Sequence, residues 1–337
     1  MKISINDPKP KYRVTNWPEY NKSLKQRGSV TFWFSDEVQE NWLMKEKTGK
    51  RGASQTCSDL AIETFLTVMA LYKLPLRAAE GFIRSIFELT GLKLDVPEYS
   101  TVSRHRFRLK VVLPRKVREE AIHVVVDSTG IKIFGEGTSV VGDERSLTNE
   151  DSIDEWKVRQ HGYSKRRTWR KLHLAVNEAT CEIVACVVSE NSLTDGEALT
   201  DLLEQIPEEI EQVSTDGAYD WFSCYESIAQ RQARAVIPPR ENAKIKQRKK
   251  VGLEPLPRDE SLRRIRQIGR SNWKHESGYH RRSLAETSMF RFKQLFGGSV
   301  HSRSFESQAV DLFVRCGLLN RMTWLGMPVS EKIEAVL

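Results

Sequence analysis

Between Ser58 and Tyr72 the apolar residues Leu60, Ile62, Phe65, Leu66, Met69 and Leu71 recur mostly at helical spacing, and Ser58 stands where an N-cap belongs. Pro75 breaks this helix. The pattern resumes from Leu76 to Thr90 through Ala79, Phe82, Ile83, Ile86 and Phe87, and Gly91 ends it. A third, basic helix is expected to begin near Tyr99 to Ser103 and to run through Arg104, His105, Arg106 and Arg108. Three short helices, the last carrying Ser103, Arg104 and Arg106, fit a helix-turn-helix-like module whose recognition helix enters the major groove. A helical subdomain with a solvated basic face fits the same pattern.

From Glu119 the period changes. Ala121 to Val126 is a β-branched run expected to end as a strand at Asp127, with Ser128-Thr-Gly130 as the turn after it. Trp169 to Val176 and Cys181 to Ser189 read as two more strands joined at Asn177 to Thr180, too close together for an intervening helix, so an antiparallel meander is expected. Thr194 to Gln205 is a helix opened by a capping box of Thr194 and Glu197. Gln212 to Thr215 is a strand ending at Asp216. A helix from about Asp220 to Gln232 follows, with Asp220 as its N-cap, and Ala235 to Ile237 is a strand closed by Pro238-Pro239. A long helix from Phe305 to Leu325 places Val310, Phe313, Val314 and Leu318 on one stripe, facing the sheet. This order predicts an α/β fold with a mixed sheet, antiparallel at first and parallel later.

The first 55 residues are polar, with Trp17, Trp33 and Trp42 set among basic residues. They fit a partly ordered arm, or an extension whose tryptophans pack back on the protein. A length of 337 residues suggests about two domains. The boundary falls near 115: residues 1–115 as arm and helix-turn-helix-like DNA-binding region, residues 116–337 as catalytic domain with a basic insertion at about 240–275 and a C-terminal helix.

Charge adds a partner. A net charge of +8 suits an acidic polymer, because clustered Lys and Arg displace counterions from phosphates. Lys244, Lys246, Arg248, Lys249 and Lys250 are nearly contiguous, and fit either a solvated loop or a track for a phosphate backbone. Cys57, Cys181, Cys186, Cys224 and Cys316 are scattered with no C-x-x-C pair, which signals neither a zinc site nor a disulfide framework and fits a reducing cytoplasm. Met1 to Arg13 lacks a signal-peptide pattern and no run approaches the roughly 18 apolar residues of a membrane span, so no membrane partner is expected. No G-x-x-x-x-G-K-[ST] loop supports ATP-driven chemistry.

Asp127 and Asp216 are both expected at carboxyl ends of strands, where side chains project into a crevice. Tyr279, Arg282, Glu286 and Lys293 lie within a helical stretch from about Gly278 to Phe296. At about 100° per residue all four fall within an arc of roughly 60°. Alone, that face reads as a salt-bridged surface. Two strand-end aspartates with a helical glutamate are, however, the donor set that two-metal phosphoryl transfer requires, since Mg²⁺ prefers about six oxygens supplied by a few carboxylates, water and phosphate. Asp220 competes with Asp216 for the second position. Trp169 and Trp273 are candidates for stacking on a flipped base, with Trp169 fitting a sheet position better. His275 and His280 have no third partner at metal spacing.

Val124-Val-Val-Asp127-Ser-Thr-Gly130, Thr215-Asp216-Gly-Ala-Tyr-Asp220 and Tyr279-x2-Arg282-x3-Glu286-x6-Lys293 together resemble the bacterial insertion-sequence transposases of the DDE type, in the branch related to the insertion-sequence-five family with its Y-R-E-K signature. The resemblance implies a ribonuclease H-like catalytic fold, two Mg²⁺ or Mn²⁺ ions, recognition of terminal inverted repeats, strand transfer into target DNA, a homodimer on DNA, and a cytoplasmic, nucleoid-associated protein. It further implies Asp127, Asp216 and Glu286 as metal ligands, and Tyr279, Arg282 and Lys293 as contacts near the scissile phosphate. Arg104 and Arg106 are the candidates for DNA contact on the helix-turn-helix-like segment. A metal-dependent endonuclease that does not join strands would need the same carboxylates. A catalytically silent DNA-binding repressor would not need them.

Overall fold

The computed structural model describes residues 12–45, 56–133, 169–245 and 256–333. The chain opens with a short strand β1 (Tyr12–Val14) and three helices, α1 (Trp17–Arg27), α2 (Val30–Trp33) and α3 (Asp36–Glu40). Trp33 and Trp42 are fully buried, and their indole N–H groups donate to the carbonyls of Arg27 at 3.1 Å and Asp95 at 2.8 Å. Trp42, Phe34 and Phe87 form an aromatic cluster. Residues 12–45 are therefore not a loose arm, because large aromatic surfaces gain most by leaving water. Residues 1–11 and 46–55 lie outside the described residues.

Helices α4 (Asp59–Leu71), α5 (Leu76–Thr90) and α6 (Tyr99–His105) follow the apolar periodicity closely. The Ser58 hydroxyl accepts the Ala61 N–H at 3.1 Å, and Gly91 closes α5 in the left-handed region at φ 71°. A 3₁₀ turn, Arg106–Arg108, continues α6.

Strand β2 (Ile122–Ile133) is followed by β3 (Trp169–Asn177), β4 (Ile183–Glu190), α7 (Asp195–Glu204), β5 (Ile210–Ser214), α8 (Phe222–Gln230) and β6 (Arg234–Val236). Next come α9 (Pro257–Ile268), α10 (Arg270–Glu276), α11 (Ser283–Phe296), β7 (Ser299–Val300), α12 (Phe305–Leu325) and β8 (Ser330–Lys332). The strand order is β4-β3-β2-β5-β6, with β7 also on β2. β2, β3 and β4 pair antiparallel, while β5, β6 and β7 run parallel to their neighbours, the mixed sheet expected from the pattern. β1 and β8 pair antiparallel and tie the two ends together.

β2 does not stop at Asp127. Ser128, Thr129 and Gly130 stay in the ladder, opposite His173, Leu172 and Lys171 of β3. A continuous partner along one edge overrides the turn-forming composition of the segment. Gly130 leaves room for the Trp169 ring, to which a Cβ would lie 3.1 Å away. A second correction concerns Asp220: Trp221, not Asp220, is the N-cap of α8.

Alternation along β2 divides the interior. Val124 and Val126 face α7 and α8, whereas Val125 and Ile131 join Leu172, Leu174, Phe292, Leu312, Phe65 and Trp42 in a single apolar cluster on the other face. That cluster runs from the sheet through α12 into the N-terminal helices without a break near residue 115. Arg106 belongs to this junction. It is buried and paired with Asp311 at 3.3 Å, which also accepts the Ser302 hydroxyl, so its guanidinium is turned inward and not toward DNA as expected. Arg104 is exposed.

Helix α12 is buried nearly all round, more than a single stripe implied. It carries Asn320, whose Oδ1 accepts the Ile183 N–H at 2.8 Å and whose Nδ2 donates to the carbonyls of Ile183 at 2.8 Å and Pro114 at 2.9 Å. The side chain thus substitutes for a strand partner on the edge strand β4. The five cysteines form no disulfide with one another. Among the described residues no helix is long and apolar enough to cross a membrane.

Replacing Asn320 by Ala strands three backbone groups in a dry interior. It is expected to cost about 3 kcal/mol in urea unfolding, against less than about 0.5 kcal/mol for Arg104→Ala.

Candidate active site

The parallel ladder between β2 and β5 ends at the pair Val125 and Ser214. Two residues further along each chain stand Asp127 and Asp216. With a side-chain period of two, both project to the face that carries Val125. The two carboxylates are near enough for Asp216 to act on Asp127 electrostatically. Asp127 Oδ1 accepts the N–H of Ser128 at 2.9 Å, and Asp216 Oδ1 accepts that of Ala218 at 2.9 Å as cap of the 3₁₀ turn Gly217–Tyr219.

Beyond Val125 the β5 edge of β2 is unpaired until Lys132 meets β7. The chain segment before α11 packs against this gap. Gly278, at φ 71°, turns the chain into a 3₁₀ turn, Tyr279–Arg282, and α11 begins at Ser283. The expected single helix face over Tyr279, Arg282, Glu286 and Lys293 is therefore corrected: the first two lie on the turn and the last two on α11. Arg282 still reaches both carboxylate elements. Its Nη1 donates to Asp127 Oδ2 at 3.1 Å, and its Nη2 donates to Glu286 Oε1. Tyr279 stacks over Arg282, with its ring centroid 5.8 Å from the guanidinium carbon. Lys293 is half-buried, two helical turns or about 10 Å further along α11.

Burial pushes the Asp127 carboxyl up to about 6, and the Ser128 N–H and Arg282 only partly oppose it, while Asp216 and Glu286 add repulsion. Burial also raises Asp216, against the Ala218 N–H and Arg282, with Asp195 and Glu286 pushing upward. Two carboxylates, Asp127 and Glu286, thus share one guanidinium, whose charge also acts on Asp216. They are hard oxygen donors, the chemistry that suits Mg²⁺ or Mn²⁺. Among the described residues no three His, Cys, Asp or Glu side chains enclose a ready-made ion cage. Arg282 lies between Asp127 and Glu286 instead. The donor set still fits, because Mg²⁺ is usually held by one or two carboxylates completed by water and phosphate oxygens.

Asp220 is occupied elsewhere. It is buried, takes Arg258 Nε at 2.7 Å and Nη2 at 3.1 Å, and also accepts from the Arg240 N–H and the Tyr225 hydroxyl. Burial would raise its pKa, but these donors hold it below the ordinary value. It locks α9 to the end of β5. Trp273 is buried behind Tyr279, at 6.4 Å between ring centroids, and presents no face for a base. Trp169 is half-buried in β3 with Lys132 over its ring, the sheet position expected for it. His275 and His280 are exposed. Of the basic run, Lys246 to Lys250 lie outside the described residues.

Sequence reasoning missed Arg282 as a bridge between two carboxylates, because i, i+4 spacing announces only the Glu286 half. It also missed Asp195 and Ser128, joined at 2.9 Å on the opposite face of β2.

The family model described as "Transposase DDE domain" matches residues 118–321, and a second model of the same description matches residues 25–136. Among solved structures, the cryo-EM structure of a piggyBac transposase synaptic complex with hairpin DNA is similar over 94% of this chain and 77% of that chain, at 10% identity and a TM-score of 0.36. The chain belongs to the DDE-domain transposases. It is a DDE-type transposase enzyme, and divalent metal dependence is general to that family.

The raised Asp127 pKa sets a pH window. The folded state binds the extra proton between about 4 and 6, so this group's contribution makes stability fall as pH rises through that range. In EDTA at pH 7.5, Asp127→Asn should stabilise the protein by on the order of 2 kcal/mol, the advantage vanishing near pH 4. Mn²⁺ affinity of the native protein should fall steeply below pH 6, read by calorimetric titration.

Proposed function

We propose that Asp127, Asp216 and Glu286 are the metal ligands of a transposase that binds terminal inverted repeats, cleaves DNA at the element ends and transfers the freed strand into target DNA. The observation that carries this reading is Arg282 bridging Asp127 and Glu286 where the β2–β5 ladder ends, within electrostatic reach of Asp216. Two Mg²⁺ or Mn²⁺ ions held there would activate the attacking oxygen and stabilise the leaving one. In the first step water attacks the phosphorus and the P–O3′ bond breaks, leaving a 3′-hydroxyl on the element. In the second that hydroxyl attacks a target phosphodiester and displaces the target 3′-oxygen, which takes up the proton.

Arg282 has a defined part in this scheme. Its guanidinium neutralises Asp127 and Glu286 before substrate arrives, then exchanges these partners for a phosphate, which it can hold with a planar fork. Tyr279 keeps it in that orientation, and Lys293 supplies a point charge further along the strand. The Tyr279-x2-Arg282-x3-Glu286-x6-Lys293 spacing supports placing the chain in the insertion-sequence-five-like branch. Arg104 on α6 and the basic segment at 240–275 contribute to the DNA surface, with residues 1–115 acting as a helix-turn-helix-like DNA-binding region and two copies synapsing on paired ends. Arg106 is left out of that surface because it is buried against Asp311.

A labelled duplex bearing the terminal repeats, incubated with Mg²⁺ or with EDTA, tests the reading. Nicked and joined products are expected only with metal. Glu286→Gln should lose both by at least about a thousandfold while still binding the duplex, and Arg282→Lys should lose roughly a hundredfold through loss of the bidentate fork. Nicking without joined products would move the assignment to an endonuclease. Binding without cleavage would move it to a repressor.

A further inference from the structure

A cavity of about 510 Å³ lies where the end of α4, the turn after it, the end of α11 and the first half of α12 meet. That size suits a small organic ligand. Leu66, Met69, Leu74, Phe296 and Val314 give it an apolar wall. Lys73 and His301 are exposed and place its mouth at the protein surface. Arg106, Asp311 and Arg315 form its polar end, each less than a tenth exposed.

The polar end is short of negative charge. Arg106 Nη1 lies 3.3 Å from Asp311 Oδ1, and the other oxygen of Asp311 accepts the Ser302 hydroxyl. Arg315 Nη1 donates to the Ser299 carbonyl at 2.8 Å, and among the described residues no carboxylate lies within ion-pair distance of it. On neither arginine do Nε and Nη2 make a hydrogen bond among the described residues, and Arg106 Nε is fully enclosed. Two buried guanidinium groups thus face one carboxylate. A buried guanidinium ordinarily has its charge paired and its N–H donors used, because the solvation lost on burial must be replaced. Burial pushes Arg315 below its ordinary pKa and Asp311 above its own, the mark of charges with too few partners. Lys73 adds a third cation at the mouth. It stands one residue past the C-cap of α4 at φ 53°, the left-handed position that glycine usually takes, in a turn closed by the Leu74 N–H on the Met69 carbonyl at 3.0 Å.

We propose that this cavity binds an amphipathic organic monoanion, a carboxylic acid with an apolar chain. Its carboxylate takes the open donors of Arg106 and Arg315, and its chain covers the wall formed by Leu66, Met69 and Phe296. A planar carboxylate suits these groups because it accepts from two N–H groups of one arginine at once. A phosphate of a DNA backbone would meet the charge but bring a polar sugar against the apolar wall. A small inorganic anion would leave that wall uncovered. The occupant touches α4 and α12 together, and so strengthens the contact by which the N-terminal helices rest on α12.

Octanoate is the probe, titrated calorimetrically into the DNA-free full-length protein, with octanol, acetate and inorganic phosphate as controls. One-to-one binding of octanoate is expected, at least about tenfold tighter than any control, and saturating octanoate should raise the melting temperature by a few degrees. Arg315→Met should weaken octanoate about tenfold. Without ligand it should melt within a few degrees of the native protein, because an apolar side chain replaces an unpaired buried charge. Lys73→Gln should weaken binding about threefold, and Ala70→Phe, which places a ring in the cavity, at least about tenfold. No binding of octanoate to the native protein, or native affinity in folded Arg315→Met, overturns the proposal. Equal binding of octanol overturns the part of the guanidinium groups, and equal binding of acetate or phosphate overturns the apolar part. If Arg315→Met does not fold, Lys73→Gln and Ala70→Phe decide the matter, and native octanoate affinity in both overturns the proposal.

Discussion

The β2–β5 ladder stops at Val125 and Ser214, and the site depends on that early end. Had the pairing continued, Asp127 and Asp216 would lie within a covered sheet, flanked by backbone and packed over like Val124 and Val213. The ladder stops because β5 leads into the 3₁₀ turn at Gly217, while β2 is carried onward by its other partner, β3. One edge of β2 is then open for several residues, and the turn Tyr279–Arg282 fills the gap. A side chain from a distant part of the sequence thereby meets two strand residues without any strand pairing between them.

Such an arrangement is costly in electrostatic terms. Burial opposes the ionisation of Asp127, and Asp216 and Glu286 repel it, yet a single guanidinium spans the largely buried Asp127 and the exposed Glu286. An arginine suits this place better than a lysine, because its fork engages two oxygens on different residues at once. Asp220, only four residues from Asp216, shows the contrasting outcome: with Arg258, Arg240 and Tyr225 all committed to it, that carboxylate is structural.

Much of the fold was legible from periodicity. The limits of α4, α5 and α12 follow from apolar spacing, with Ser58 and Gly91 acting locally on the first two. Errors arose where a distant partner outweighed local composition. Ser128-Thr-Gly130 reads as a turn until β3, roughly 40 residues away, supplies a ladder opposite it. Arg106 reads as a surface charge until Asp311, some 200 residues further on, buries it. Trp33 and Trp42 read as features of an arm until Phe87 and Asp95 are placed against them. The family of the chain was readable from the spacing of its carboxylates and the Tyr279 to Lys293 pattern. The partner of each carboxylate was not, since a linear sequence carries no record of which face of β2 Asp195 or Glu286 approaches.

The unbroken apolar cluster has a mechanical meaning. Helix α4 and the turn that carries Arg106 rest on α12, α5 rests on α4, and α12 rests on the sheet that carries Asp127. The distance from α6 to the carboxylates is therefore fixed by side-chain packing and not by a tether. A new cavity opened between α4 and α12 would therefore shift α6 and the strand that carries Asp127 relative to each other, since close-packed side chains are the only ruler between them among the described residues.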